Sequence, residues 1–279
     1  MTLAVLILLA YVGLTYAFRL YEKGKDPDWS RRFYRISWRG IGGFLVETIC
    51  TAVLIVLWIA DWIWTPARRR LRMEKKVRDS FRPGDRPVVL CHGYHMRGLT
   101  LGVLALRLRR MGRSMITLPS FGPSGAGIRR YADQLSEHIR EVLQETGADA
   151  VDLVGHSMGG LVARACAAKA RGSAPDDLRI AHLVTLGTPH RGMGFWVFTW
   201  GECGLDMRPG SPFLAWLEED PPVVDGTAVY SPFDAFVPED SASGWSAPTV
   251  RKVRVDDVGH IALAMLPEPA RRVFEALKD

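Results

Sequence analysis

From residue 87 onward, short apolar runs alternate with longer stretches in which apolar residues recur every third or fourth position. The first pattern reads as a buried strand and the second as an amphipathic helix. Strands are predicted at Pro87–Cys91, Ser114–Leu118, Val151–Val154, Ile180–Leu186, Ala228–Tyr230 and Val250–Val255. Helices are predicted at Leu99–Met111, Ile128–Thr146 and Leu161–Arg171, the second with Tyr131, Leu135, Ile139 and Leu143 on one face. Strand–helix alternation of this kind predicts an α/β fold: a mostly parallel, doubly wound sheet flanked by helices, binding ligands beyond the carboxyl ends of its strands.

The first 86 residues follow a different pattern. Leu3–Phe18 carries no charge over sixteen residues, close to the lower limit for a spanning helix. It lacks a basic start and a small-x-small cleavage site, so it reads as an uncleaved anchor rather than a signal peptide. A second apolar stretch, Ile41–Trp64, is interrupted by Glu47 and ends with Asp61, leaving Thr48–Ala60 unbroken. It spans a membrane if Glu47 lies at the interface, lies along the membrane, or packs on the catalytic domain as a core helix. Trp38, Trp58, Trp62 and Trp64 fit an interfacial aromatic belt better than a dry core. Arg68–Arg70, Arg72, Lys75 and Lys76 follow as a basic linker, either a site for anionic headgroups or a solvated helix face. The expected organisation is a membrane-anchoring region 1–64, a linker 65–86 and a catalytic domain 87–279. Deleting residues 1–64 is then expected to leave a soluble, active domain.

The formal charge of +6 changes the picture only through its placement. Arg and Lys crowd into 19–39 and 68–86, beside the apolar segments, which points to a membrane surface rather than to nucleic acid. Cys50, Cys91 and Cys166 sit in apolar runs as core residues, and no cysteine pair has disulfide or zinc spacing. Keeping both basic clusters inside, with unpaired cysteines, leans towards a bacterial inner membrane with the catalytic domain on its cytoplasmic face.

The sharpest chemical signal is Val151-Asp-Leu-Val-Gly-His-Ser-Met-Gly-Gly160. An apolar strand runs into Gly155-x-Ser157-x-Gly159, and a small-residue helix follows at once. This nucleophile-elbow pattern pushes a serine out of a strained turn that tolerates only small neighbours. The helix N-terminus behind it offers unpaired N–H groups to a developing oxyanion.

Residues 88–277 resemble the α/β-hydrolase-fold lipases and esterases, particularly bacterial triacylglycerol lipases and the GPI inositol-deacylase-like group. The resemblance rests on Val88-Val-Leu-Cys-His-Gly93, Gly155-His-Ser-Met-Gly-Gly160, Leu186-Gly-Thr-Pro-His-Arg-Gly192, Arg208-Pro-Gly-Ser-Pro-Phe-Leu214 and Gly259-His260, in that order. It implies a catalytic triad in the chain order serine, acid, histidine. Ser157 is the expected nucleophile, needing a general base to take its proton. His260 is the expected base, standing after the last strand in a Gly-His turn; His182 lies inside a strand, His190 comes too early, and His156 packs as a neighbour of the elbow. Asp234 is the expected acid, in the loop after Ala228–Tyr230. Asp256 and Asp257 are rivals that shape or cap the His260 loop, with Glu239 and Asp240 weaker. The resemblance places the oxyanion hole on the backbone N–H groups of Tyr94 and Met158.

An insertion at about 191–217 is rich in apolar bulk, with Phe195, Trp196, Phe198 and Trp200 the candidate substrate-binding residues. It reads as a lid or acyl-binding wall, or else as helix packing over the sheet edge. Related secreted lipases carry calcium through an Asp soon after the catalytic histidine; here Ile261 and Ala262 follow His260, so neither metal nor cofactor is expected. The resulting expectation is a membrane-associated serine ester hydrolase acting on a lipid or other acyl ester through an acyl-enzyme. An acyltransferase of the same fold and a noncatalytic binding protein are the rivals, and the intact Ser157, Asp234 and His260 weigh against the latter.

Overall fold

The computed structural model describes residues 13, 38–64, 82, 85–170, 178–194, 199–219 and 224–278, without the side chains of 38–41 and 62–64. The proposed anchor Leu3–Phe18 (Gly13 apart), the basic run 68–76, and Phe195, Trp196 and Phe198 lie outside the described residues, as do the side chains of Trp38, Trp62 and Trp64.

Six strands pair in parallel: β1 Val88–Cys91, β2 Ile116–Thr117, β3 Val151–His156, β4 Ile180–Leu186, β5 Asp225–Tyr230 and β6 Val250–Arg254. Their spatial order is β2-β1-β3-β4-β5-β6, so the winding reverses between β1 and β3. In sheets of this kind that reversal opens a crevice at the carboxyl ends, and the elbow at the end of β3 lies beside it.

Side chains alternate across each strand and separate two cores. Val89, Cys91, Leu153 and Leu183 face one core, with α3 (Ile128–Thr146) and α4 (Met158–Ala170). Val88, Leu90, Val154 and Val184 face the other, with α2 (Gly102–Arg110) and the C-terminal α8 (Pro267–Ala276). The doubly wound α/β expectation holds. β4 and α3 match their predicted bounds. β2 is shorter than predicted, starting two residues later and ending one residue earlier, where Pro119, offering no N–H to a ladder, soon follows. α4 begins at Met158, three residues earlier than expected, directly behind Ser157. The predicted helix Leu99–Met111 divides into a 3₁₀ turn, Gly98–Leu101, and α2.

The second apolar stretch is one continuous helix, α1 (Trp38–Trp64), running through Glu47 without a break. Its Gly42–Asp61 portion is long and apolar enough to cross a membrane. It also packs on the α/β domain: Glu47, Cys50, Thr51 and Asp61 are buried, and Cys50 joins the core around α2 and α8. The remaining elements are α5 (Gly201–Asp206), α6 (Pro212–Glu219) and α7 (Glu239–Ala242).

Candidate active site

The elbow is built by backbone geometry. β3 delivers the chain to Ser157 in a left-handed conformation, φ 56°, and α4 begins at the next residue. A non-glycine residue held there is strained and persists only because its surroundings fix it. Ser157 N–H donates to the Leu186 carbonyl (2.8 Å), while its own carbonyl accepts Gly160 N–H (3.0 Å) and the Thr188 hydroxyl (2.9 Å). A Cβ on Gly155 would strike the Gly160 backbone, and one on Gly159 would strike the Cys91 carbonyl. Both positions of the motif are therefore sterically required.

Asp234 follows β5 and is fully buried. Its Oδ1 accepts the N–H groups of Phe236 (2.8 Å) and Val237 (2.9 Å), and its Oδ2 accepts Nδ1–H of His260 at 2.7 Å. That bond selects the His260 tautomer in which Nε2 carries the lone pair, as a general base requires. Burial works against the His260 imidazolium, but the charge and hydrogen bond of Asp234, with Glu47 adding, hold its pKa above the ordinary value. Gly187, at φ 55°, packs against the pair: a Cβ there would come within 2.8 Å of Asp234 Oδ2 and 3.2 Å of His260 Nδ1. Because Ser157 is bonded to Leu186, the Leu186–Gly187 corner ties the elbow to the Asp–His pair.

His156 donates from Nε2 to the His260 carbonyl at 2.9 Å, with the rings 4.8 Å apart. Burial, with the neighbouring His260, lowers its pKa to about 3, so it stays neutral. The rival acids lie elsewhere. Asp256 is exposed and pairs with Arg254 (2.7 Å), Asp257 stands in a turn at φ 60°, and Glu239 and Asp240 open α7.

β1 ends in a second turn, closed by Met96 N–H on the Gly93 carbonyl (3.2 Å), with His95 at φ 50°. The neutral His92 spans its base: Nδ1 donates to Gly93 O (2.9 Å) and Nε2 accepts Phe121 N–H (3.1 Å). Burial pushes its pKa down to about 4. A Cβ on Gly93 would lie 3.2 Å from Ser157 Cβ, which puts the Tyr94 turn against the elbow. Met158, the other expected oxyanion donor, is the first residue of α4, where amides lack intrahelical partners.

The apolar insertion divides. In α6, Phe213, Leu214 and Leu217 are buried in the core beside α4, so this half packs on the sheet and does not line a lid. Trp200 is 60% exposed; its ring stacks on His95 (3.9 Å), and its backbone N–H and C=O both bond the Tyr94 hydroxyl at 2.8 Å. Glu202 and Asp206 of α5 accept Gly127 N–H (2.9 Å) and Ile128 N–H (2.8 Å) at the start of α3, where negative charge suits the helix dipole.

Comparison with known proteins agrees with this fold. A family profile described as alpha/beta hydrolase fold matches residues 86–214. A triacylglycerol lipase of Pseudarthrobacter phenanthrenivorans is 43% identical over 74 residues, 26% of this chain and 20% of that protein. A triacylglycerol lipase of Burkholderia plantarii is also 43% identical over 74 residues. These matches span only about a fifth of the curated relatives' length. Among solved structures, mature Bacillus licheniformis lipase BlEst2 superposes with a TM-score of 0.58 at 15% identity, covering 70% of this chain and 93% of that one. Aspergillus fumigatus lipase B gives 0.61 at 14% identity, covering 70% and 53%. The chain has the α/β-hydrolase fold and is similar, over part of its length, to triacylglycerol lipases.

Two buried residues around this site escaped the motif reading. Arg164, fully buried on α4, donates to His190 Nδ1 (3.0 Å), the Leu217 carbonyl (3.2 Å) and Glu218 (3.0 Å), and lies 5.2 Å from the Trp245 ring centre. It ties α6 to the elbow helix. Glu47 is the other, and its signal was available: a carboxylate inside an apolar helix has to find partners.

Proposed function

We propose that this hydrolase is a membrane-associated serine esterase that cleaves lipidic carboxylic esters through an acyl-enzyme. The observation that carries the chemistry is the buried 2.7 Å bond from His260 to an Asp234 already held by two amides, beside a serine in a strained elbow. Ser157 Oγ attacks the ester carbonyl while His260 Nε2 takes its proton. Asp234 holds the ring and stabilises the imidazolium. The Tyr94 and Met158 amides receive the oxyanion. As the intermediate collapses, His260 returns the proton to the departing alkoxide and leaves Ser157 acylated. Water, deprotonated by the same histidine, then attacks the acyl carbonyl; the bond to Ser157 Oγ breaks, His260 returns the proton to that oxygen, and the acid leaves.

Membrane association is supported by the orientation of α1. Its polar residues Glu47, Thr51 and Asp61 face the protein, whereas Leu45, Ile49, Val53, Val56 and Ile59 are exposed, Ile49 and Val56 at 64% each. This inverts the arrangement of a water-facing helix, and a contiguous apolar face suits lipid. At 1.5 Å per residue, Glu47 and Asp61 are about 21 Å apart along the helix. Both are held by one catalytic domain, which favours a helix lying along the interface over one crossing it.

Purified full-length protein should turn over medium- and long-chain esters in preference to acetate, read on a panel from acetate to palmitate with a triglyceride and a phospholipid. Exclusive turnover of acetate would contradict a lipidic substrate. Product appearing only with an added alcohol acceptor would make the enzyme an acyltransferase.

A further inference from the structure

Helix α1 meets the candidate catalytic centre at two places. The Glu47 carboxylate, on a residue only 2% exposed, accepts the N–H groups of Ile261 (2.7 Å) and Ala262 (3.0 Å), the two residues after His260. On the other side of His260, the Glu47 carboxyl fills the place a Cβ on Gly259 would take. Farther along α1, the Trp58 indole donates to the His95 carbonyl (3.2 Å), and Asp61 pairs with Arg97. Those contacts reach the turn that carries Tyr94.

Burying a carboxylate in an apolar helix costs stability unless hydrogen bonds offset it. Here the compensating donors all belong to the loop that presents His260, and they stand where the 3₁₀ turn Ala262–Ala264 begins. We propose that Glu47 is a positioning residue of this hydrolase, its carboxylate fixing the 259–262 turn so that His260 stays aligned with Asp234. The proposal rests on the serine-esterase reading above. It makes the apolar helix part of the catalytic centre and revises the expectation that residues 1–64 are dispensable for activity.

Charge gives the proposal a readout that a purely structural contact lacks. The groups facing His260 are Asp234 from the loop after β5, the neutral His156 from the end of β3, and Glu47 from α1; Phe236 contributes an uncharged ring at 5.1 Å. Cys50 lies one turn along α1 from Glu47, and Arg107 bonds the Met265 carbonyl nearby (2.7 Å). Burial raises the Glu47 pKa, the Ile261 and Ala262 amides and His260 pull it back, and the negative charge of the ionised carboxylate favours the His260 imidazolium. Removing it shifts the histidine's titration to lower pH.

The test compares full-length wild type with Glu47→Gln and Glu47→Asp, normalised to folded protein. In Glu47→Gln, kcat should fall roughly tenfold or more, the scale of a lost bond to a charged group. KM for a soluble ester should stay within about twofold, and the acid limb of kcat/KM should move to lower pH. If the Gln variant does not fold, Glu47→Asp decides, since it keeps the charge but withdraws the carboxylate: kcat should drop while the acid limb stays in place. Wild-type kcat per folded molecule in the variant that folds would overturn the proposal. A wild type that neither hydrolyses esters nor reacts with a fluorophosphonate would instead remove the serine-esterase reading.

Discussion

Both oxygens of Asp234 are occupied inside the protein, two amides on one and His260 on the other. Substituting Asn keeps the shape but removes the charge and sets an NH2 donor against either His260 Nδ1–H or the Phe236 and Val237 amides, so one set of bonds is lost. Asp234→Asn should therefore lower kcat by about four orders of magnitude, the scale seen when a triad histidine loses its orienting carboxylate. Asp256→Asn, at an exposed surface pair, should leave it nearly unchanged. The pH dependence has a defined sign. In the proposed mechanism His260 is a neutral base, and its pKa is raised, so activity should appear as pH climbs through a value above the ordinary 6.5 or so. Loss of the Asp234 charge should move that limb downward. Steady-state kinetics across pH measure both effects, and a more damaging Asp256→Asn would mean the acid is misassigned. At this scale the sequence was informative because an elbow, a strand-end acid and a late histidine each leave a local mark. Glu47 left a mark too, an acid in an apolar run, but its partners are more than two hundred residues away and no spacing rule connects them.

Among the elements, α1 is where pattern reading reached its limit. The stretch is apolar on nearly every side, so periodicity alone did not choose between crossing a membrane, lying on one and packing on the domain. The structure shows the packing, with a polar stripe docked on the protein, and the apolar face left outward is what supports the proposed interfacial placement. Ile49→Ser with Val56→Ser should weaken binding to phospholipid vesicles by roughly a hundredfold, since two aliphatic groups removed from lipid forfeit about 3 kcal/mol. Turnover of a short, soluble ester should be unaffected. Vesicle co-sedimentation measures the first, and unchanged partition would mean that this face does not meet lipid. The insertion behaved similarly. Its apolar richness was visible, but whether each residue faced core or ligand depended on α6 docking beside α4, a tertiary contact without a local signature.

For the whole molecule, the parallel sheet separates two tasks by its two ends. At the amino ends of the strands, buried Asp152 binds His182 (2.9 Å) and Arg113 (3.0 Å), with Arg86 at 3.4 Å. Arg86 and Arg113 also bond the Leu277 carbonyl just after α8, fastening the chain's last helix. The carboxyl ends carry the candidate chemistry, as expected where the winding reverses. The alternation of strands and helices announced a parallel sheet. The order of the strands was not legible, because it is set by crossovers that bury the two cores together. What unites the molecule functionally is the reactivity assigned to Ser157, which only an activated hydroxyl would show. Full-length protein treated with a fluorophosphonate and mapped by mass spectrometry should carry a single adduct, on Ser157, formed rapidly in wild type and absent from folded Ser157→Ala. An adduct that persists in Ser157→Ala, or a wild type that remains unmodified, would contradict it.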